Sequence, residues 1–160
     1  MSYRWMSIAA TILAACSTPS KDVPPSEAAG CPSERFVLRG DQVLDVQTHL
    51  TWRRCPLGPI FDSSVGSCSG PMYVALTIAD AKAAAGRSGS GWRLPTSDEI
   101  AGIAGPACKE EFARLFPTVG APIWTSSSAG AGKIYQFDPS SGPDAADEND
   151  AAGIVLPVKK

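Results

Sequence analysis

Histidine is nearly absent: the 160 residues contain one, His49. A lone imidazole, in a chain without a Cys-x-x-Cys pair, excludes the usual zinc-binding spacings. It also leaves Ser126, Ser127 and Ser128 without a suitably placed general base, because His49 falls in a turn; a Ser-His-Asp hydrolase is not indicated. Charge is sparse as well. Asp, Glu, Lys and Arg make up 19% of the chain, with 14 basic residues against 16 acidic ones for a net −2, where an average chain is roughly 25% charged. That balance offers no broad cationic face for phosphate backbones and argues against nucleic-acid binding. Long apolar runs are missing too: the most apolar stretch, Met6 to Ala15, falls short of the roughly 20 residues of a membrane-spanning helix. Glycine and proline are plentiful, at 15 and 14, so loops should be abundant, while an apolar content of 44% still supplies a core.

The N-terminus explains that apolar stretch. Arg4 followed by Met6 to Ala15 has the charge and length of a signal-peptide n-region and h-region. Leu13-Ala14-Ala15-Cys16 then resembles the bacterial lipobox, in which small residues admit the peptidase and the cysteine thiol takes the lipid. By the same resemblance, Ser17 differs from the aspartate that retains lipoproteins at the inner membrane. The expected product is an outer-membrane lipoprotein facing the periplasm or the cell surface. More than one acyl chain on Cys16 suffices for stable anchoring. The expected organisation is a signal peptide at 1–15, a lipidated disordered tether at 16–30, and a domain at 31–160. The tether lacks aromatics and contains Pro19, Pro24 and Pro25.

With Cys16 assigned to lipid, Cys31, Cys55, Cys68 and Cys108 remain, an even set in an oxidising compartment. Four cysteines allow three pairings. Cys55 and Cys68 flank a Gly-, Pro- and Ser-rich segment without helical or strand periodicity. A bridge between them would close an Ω-like loop, worth about 3 kcal/mol in the chain-entropy model, and would leave Cys31 to Cys108.

Within the domain, Phe36 to Leu38 and Gln42 to Val46 bracket a Gly40-Asp41 turn and read as a hairpin, with Leu50 to Trp52 a further strand. Thr77 to Gly86 reads as a capped, alanine-rich helix, and Thr96 with Glu99 as the capping box of a second. Lys109 to Leu115 reads as a turn or two more of helix. Strands are expected at Ile123 to Ser127, Lys133 to Asp138 and Gly153 to Val158. The pattern predicts a loop-rich, disulfide-stapled α+β domain with two short helices and a small antiparallel sheet.

Gly91-Trp92-Arg93-Leu94-Pro95-Thr96, followed by Glu99-Ile100, resembles the signature of the Lcl C-terminal domain family, the module that closes a collagen-like adhesin. Further landmarks follow in order: Asp45-Val46-Gln47-Thr48 leading to Leu50-Thr51-Trp52, then Phe116-Pro117, Ile123 to Ser127, Tyr135 to Asp138 with Gly142, and a closing strand at Ile154 to Val158. The resemblance implies a C-type-lectin-like fold, distantly similar to the formylglycine-generating sulfatase-modifying enzymes. Those enzymes rely on two late reactive cysteines, and no cysteine follows Cys108 here. The chain departs from the family pattern in its closing strand, which lacks aromatic and arginine residues, and in the acidic loop that precedes it.

Trp92, Arg93, Leu94 and Pro95 read mainly as structure: Pro95 holds Leu94 extended before the cap, Trp92 anchors the core, and Arg93 has Glu99 as a candidate partner. The candidate ligand-binding surface is Trp124, Ser126, Ser127, Tyr135, Asp138, Asp144, Asp147 and Asp150, because the family implies contacts on this strand-and-loop face. The acidic residues read first as a solvated loop and only second as a Ca²⁺ site, since the lectin tripeptide motifs are absent. The expectation is therefore a non-catalytic binding or adhesion domain for a glycan, an envelope polymer or a protein, with no cofactor. The rival expectation is a structural or assembly lipoprotein with a dedicated envelope partner; a degenerate sulfatase-modifying enzyme ranks last.

Overall fold

A computed structural model describes residues 31–117 and 119–160. The signal peptide, the lipidation site Cys16 and the tether lie outside the described residues.

The chain opens with the expected hairpin, β1 (Phe36–Arg39) and β2 (Gln42–Asp45), in which Arg39 pairs with Gln42 across a two-residue loop. Gly40 has φ 61°, as a type II′ hairpin turn requires at its first loop position. β3 (Leu50–Arg53) follows. The segment between Cys55 and Cys68 contains more order than its composition suggests: β4 (Ile60–Asp62) and β5 (Ser67–Ser69) form a small hairpin. Its disulfide, Cys55–Cys68, and the second, Cys31–Cys108, give the expected pairing.

After β6 (Val74–Ala75), α1 (Ile78–Arg87) begins where the Thr77 hydroxyl accepts the Asp80 amide at 3.1 Å. α2 (Ser97–Ala104) carries the predicted capping box. α3 (Lys109–Leu115) buries Phe112 and Leu115, so the described residues form three α-helices where two were expected. β7 (Ile123–Gly130), β8 (Lys133–Asp138) and β9 (Gly142–Asp147) form a meander, and the acidic stretch expected as a loop is therefore partly a strand. Gly-Pro-Asp-Ala-Ala-Asp has poor strand propensity, but β8 offers it a complete ladder of partners, and pairing overrides propensity.

The closing strand is two strands. β10 (Gly153–Ile154) and β11 (Val158–Lys159) are separated by Pro157, which has no N–H for a ladder. β10 lies between β6 and β7, parallel to β7, in a sheet ordered β6-β10-β7-β8-β9; β11 joins β3 in an antiparallel sheet ordered β1-β2-β3-β11. The single small antiparallel sheet expected from the sequence is thus replaced by two larger sheets, one of them mixed, plus the β4–β5 hairpin.

This crossing explains the apolar closing sequence. Ile154, Leu156 and Val158 enter the main core with Trp52, Phe116 and Ile100, while Val155 enters a second cluster with Trp124 and the buried alanines of α1. Gly153 is required where the segment passes Trp124, since a Cβ there would lie 2.9 Å from the indole ring. Together these elements make an α+β fold held by two disulfides.

Candidate functional site

The Trp92–Glu99 segment is a junction. Arg93 exchanges backbone hydrogen bonds with Val158, tying the segment to the β1-β2-β3-β11 sheet. Its guanidinium donates to both carboxylate oxygens of Glu99, each at 2.7 Å. Glu99 also accepts the Thr96 amide at 2.8 Å, while the Thr96 hydroxyl accepts the Glu99 amide. The hydrogen bonds from Arg93 hold the Glu99 carboxyl below its ordinary pKa, burial opposes them, and the Thr96 amide adds to the lowering. Trp92 is buried, with Arg53 and Lys159 over its ring at 5.3 and 4.6 Å. Arg93, Thr96 and Glu99 thus tie the β1-β2-β3-β11 sheet to the start of α2.

β7 is bound into the same junction. The Ser126 amide and hydroxyl both donate to the Pro95 carbonyl, at 2.7 and 3.1 Å, and the Ser127 hydroxyl accepts the Ser97 amide at 2.9 Å. Trp124 is fully buried and donates its indole N–H to the Ala75 carbonyl at 3.1 Å, so it presents no ring face to a ligand. Of the residues proposed for ligand contact, Trp124 is thereby withdrawn, while Ser126 stays exposed and Ser127 half-buried as they brace the junction. Ile123 and Trp124 are both buried because the two faces of β7 are covered by different clusters, Ile123 by the main core and Trp124 by the cluster that includes α1.

The remaining proposed residues stay accessible. Tyr135 is half-buried opposite Ala145, and Asp144, Asp147 and Asp150 are exposed. The Asp138 carboxylate organises the β8–β9 turn by accepting the Ser140 amide at 2.7 Å, the Ser141 amide at 3.1 Å and the Ser140 hydroxyl. These bonds, chiefly those from Ser140, lower its pKa. Asp144 and Asp147 accept the amides of Ala145 and Asn149, each at 2.8 Å. Among the described residues, no three His, Cys, Asp or Glu side chains converge as a metal site would require.

That turn forms one wall of a groove of about 470 Å³. Phe137, Pro139, Ser140, Ser141, Gly142 and Pro143 face Ala101, Ala104 and the bend at Gly105-Pro106, with Lys109 contributing a cation. Small residues at the end of α2 leave the space, and the prolines stiffen its walls.

Two charged features were missed in the sequence. Asp45 is fully buried, accepting from Arg35 Nε at 2.9 Å and Arg35 Nη2 at 2.6 Å, from the Gln47 amide and from the Thr48 hydroxyl. Burial raises its pKa, but the Arg35 hydrogen bonds, assisted by Thr48 and Gln47, carry it below the ordinary carboxylate value. The spacing Asp45-x-x-Thr48 was the available signal. Arg54 is buried under the β4–β5 hairpin, its guanidinium 4.1 Å from the Phe61 ring centroid and its Nε donating to the Leu115 carbonyl. Burial and the nearby Arg114 lower its pKa, and no local pattern announced it.

The family model for the Lcl C-terminal domain matches residues 41–159. The chain belongs to the Lcl C-terminal domain family. No curated protein matches it. The Lcl C-terminal domain match begins at the first hairpin turn and ends in β11, so it takes in the junction, the groove and both sheets except β1, whereas the Cys31–Cys108 staple ties in ten further residues ahead of the match.

Proposed function

We propose that the chain is a lipid-anchored envelope protein whose Lcl C-terminal domain, C-type-lectin-like in architecture, binds a ligand without catalysing a reaction on it. The anchor is Cys16, exposed by removal of residues 1–15, and the destination is the outer membrane, with the domain facing the periplasm or the cell surface. Membership of the family points to an adhesin-like domain. The observation that carries the binding reading is the groove of about 470 Å³ between the end of α2 and the β8–β9 turn, on the hairpin where ligand contact was expected. Its alanine and proline walls suit the apolar face of a sugar or polymer unit, the Ser140 and Ser141 hydroxyls supply polar orientation, and Lys109 suits an acidic substituent.

Binding of the protein to arrayed glycans and isolated envelope polymers tests this. Ala101→Trp, which fills the groove from the helix side, should weaken binding tenfold or more, an effect of about 1.4 kcal/mol. Lys109→Glu should select against acidic ligands. Full retention of binding in both variants would remove the groove from the mechanism.

A dedicated protein partner has its own support: β6 is a sheet edge, and its Val74 and the adjoining Leu76 are exposed. Co-purification of one stoichiometric envelope protein, without glycan binding, would select that reading. Oxidase chemistry of the sulfatase-modifying type has the least support, since Cys31, Cys55, Cys68 and Cys108 are all consumed in disulfides.

A further inference from the structure

The basic residues of this domain differ in whether a carboxylate holds them. Arg35, Arg93 and Arg114 are each paired with a carboxylate, on Asp45, Glu99 and Glu111 respectively. Arg39, Arg53 and Lys159 have no ion-pair partner among the described residues, and the Arg53 Nε is buried without any hydrogen-bond acceptor. The strand register places all three on one surface. Val43, Asp45, Leu50, Trp52 and Val158 point inward, so the alternate positions of the β1-β2-β3-β11 sheet point outward. One outward row is Val37, Leu44, Thr51 and Lys159; the next is Arg39, Gln42 and Arg53. Trp92, beneath Arg53 and Lys159, fixes both cations against the sheet.

Exposed aliphatic side chains flank these cations. Val37 and Val46 are each 41% exposed, and Ile60 is 75% exposed beside Arg53, with which it lines a shallow cavity of about 310 Å³. Asp41 lines that cavity too and is the carboxylate nearest this basic face by position. The acidic residues Asp138, at the end of β8, Asp144 and Asp147, on the edge strand β9, and Asp150, after it, belong to the other sheet and its flank. Apart from Asp41 on the basic face and Lys133 opposite Asp147, these cations and carboxylates lie on different sheets. A small soluble anion would account for unpaired cations, but not for aliphatics held in water around them. An interfacial surface accounts for both, because basic residues meet phosphates while apolar ones enter the headgroup boundary.

We propose that the outer face of the β1-β2-β3-β11 sheet docks on an anionic lipid surface, with Arg39, Arg53 and Lys159 at the headgroup phosphates and Val37, Val46 and Ile60 at the interface. The inference shares no residue with the groove, so either can fail alone. It does not require the lipid on Cys16, although that anchor would raise the local concentration of the face at the membrane.

The test uses residues 16–160, the chain left by the proposed maturation, with Cys16→Ala, so that neither an acyl group nor the apolar Met6–Ala15 stretch contributes, sedimented with vesicles of phosphatidylcholine alone or mixed equally with phosphatidylglycerol. Preferential binding to the mixed vesicles, weakened by added salt, is expected. Arg39→Gln, at an exposed strand end, and Lys159→Gln should each weaken that binding roughly fivefold; Ile60→Ser should weaken binding to both vesicle types. Tryptophan fluorescence of each variant checks that the fold is kept. Equal partition into the two vesicle types, insensitivity to Arg39→Gln, or binding of a soluble acidic polysaccharide in place of vesicles would each overturn the proposal.

Discussion

Carboxylates do opposite work in two regions of this domain. At the hairpin base and the Trp92–Glu99 junction, Asp45 and Glu99 each hold an arginine through two hydrogen bonds and at the same time satisfy backbone amides. On the β8–β9 hairpin, Asp138, Asp144 and Asp147 accept only from residues within three positions of themselves, and their carboxylates remain in water. The first set captures an arginine ten or six residues away and neutralises its own charge; the second shapes a local turn with no ion-pair partner among the described residues. The first region builds the fold, and the second is the one to which the proposed ligand contact is assigned.

The most severe test of that division is Asp45→Ala. It would leave Arg35, nearly buried, without its counter-charge, and removal of one partner from a buried pair costs about 3–5 kcal/mol. Urea unfolding should show this as a lower midpoint at unchanged slope. The same residue predicts an acid limb. Because the folded pKa of Asp45, like that of Glu99, lies below its unfolded value, its stabilisation is complete above the ordinary carboxylate range and is lost as the pH falls through the folded pKa. Asp45→Asn should flatten the stability profile below about pH 4. An unaltered acid limb would mean that Asp45 does not carry it.

Arg93→Ala comes next. Its pair with Glu99 is bidentate but its side chain is 42% exposed, so solvent screens it and the expected loss is about 1–2 kcal/mol. The capping box should survive, because Glu99 still reaches the Thr96 amide. Hydrogen exchange should therefore rise at the Arg93–Val158 bridge more than at the start of α2. Uniform loss of protection across α2 would show that the arginine, and not the cap, nucleates that helix.

These expectations divide along the same line as the legibility of the sequence. The Thr96–Glu99 box was readable because it spans one helical turn, and so was the Gly40-Asp41 hairpin. Cys55–Cys68 and Cys31–Cys108 were reachable by counting once Cys16 was set aside. Trp124 was not, since its burial depends on β10 and α1 covering one face of a sheet whose other face is covered by the main core. Arg54 is still less legible: its cover is Phe61 from a disulfide-held hairpin and the end of α3, neither of which is encoded near it. The groove, too, arises from small residues on α2 meeting a turn that begins some thirty residues later, and small residues give no periodic signal.

The smallest effect is expected where the acidic charge is densest. Asp144→Asn, Asp147→Asn and Asp150→Asn together remove three charges, yet each asparagine retains an oxygen that can accept the amides of Ala145 and Asn149. None of the three forms an ion pair among the described residues, so stability should change by no more than about 0.5 kcal/mol, as at most surface sites. Thermal melts of the triple variant with Ca²⁺ and with a chelator make the test decisive. Coincident melts for parent and variant would keep this hairpin as a display surface whose charges are free for a partner. A Ca²⁺-dependent rise in melting temperature in the parent, absent from the variant, would mean that these carboxylates converge on a cation and hold structure, as Asp45 does on Arg35, and the contrast between the two regions would collapse.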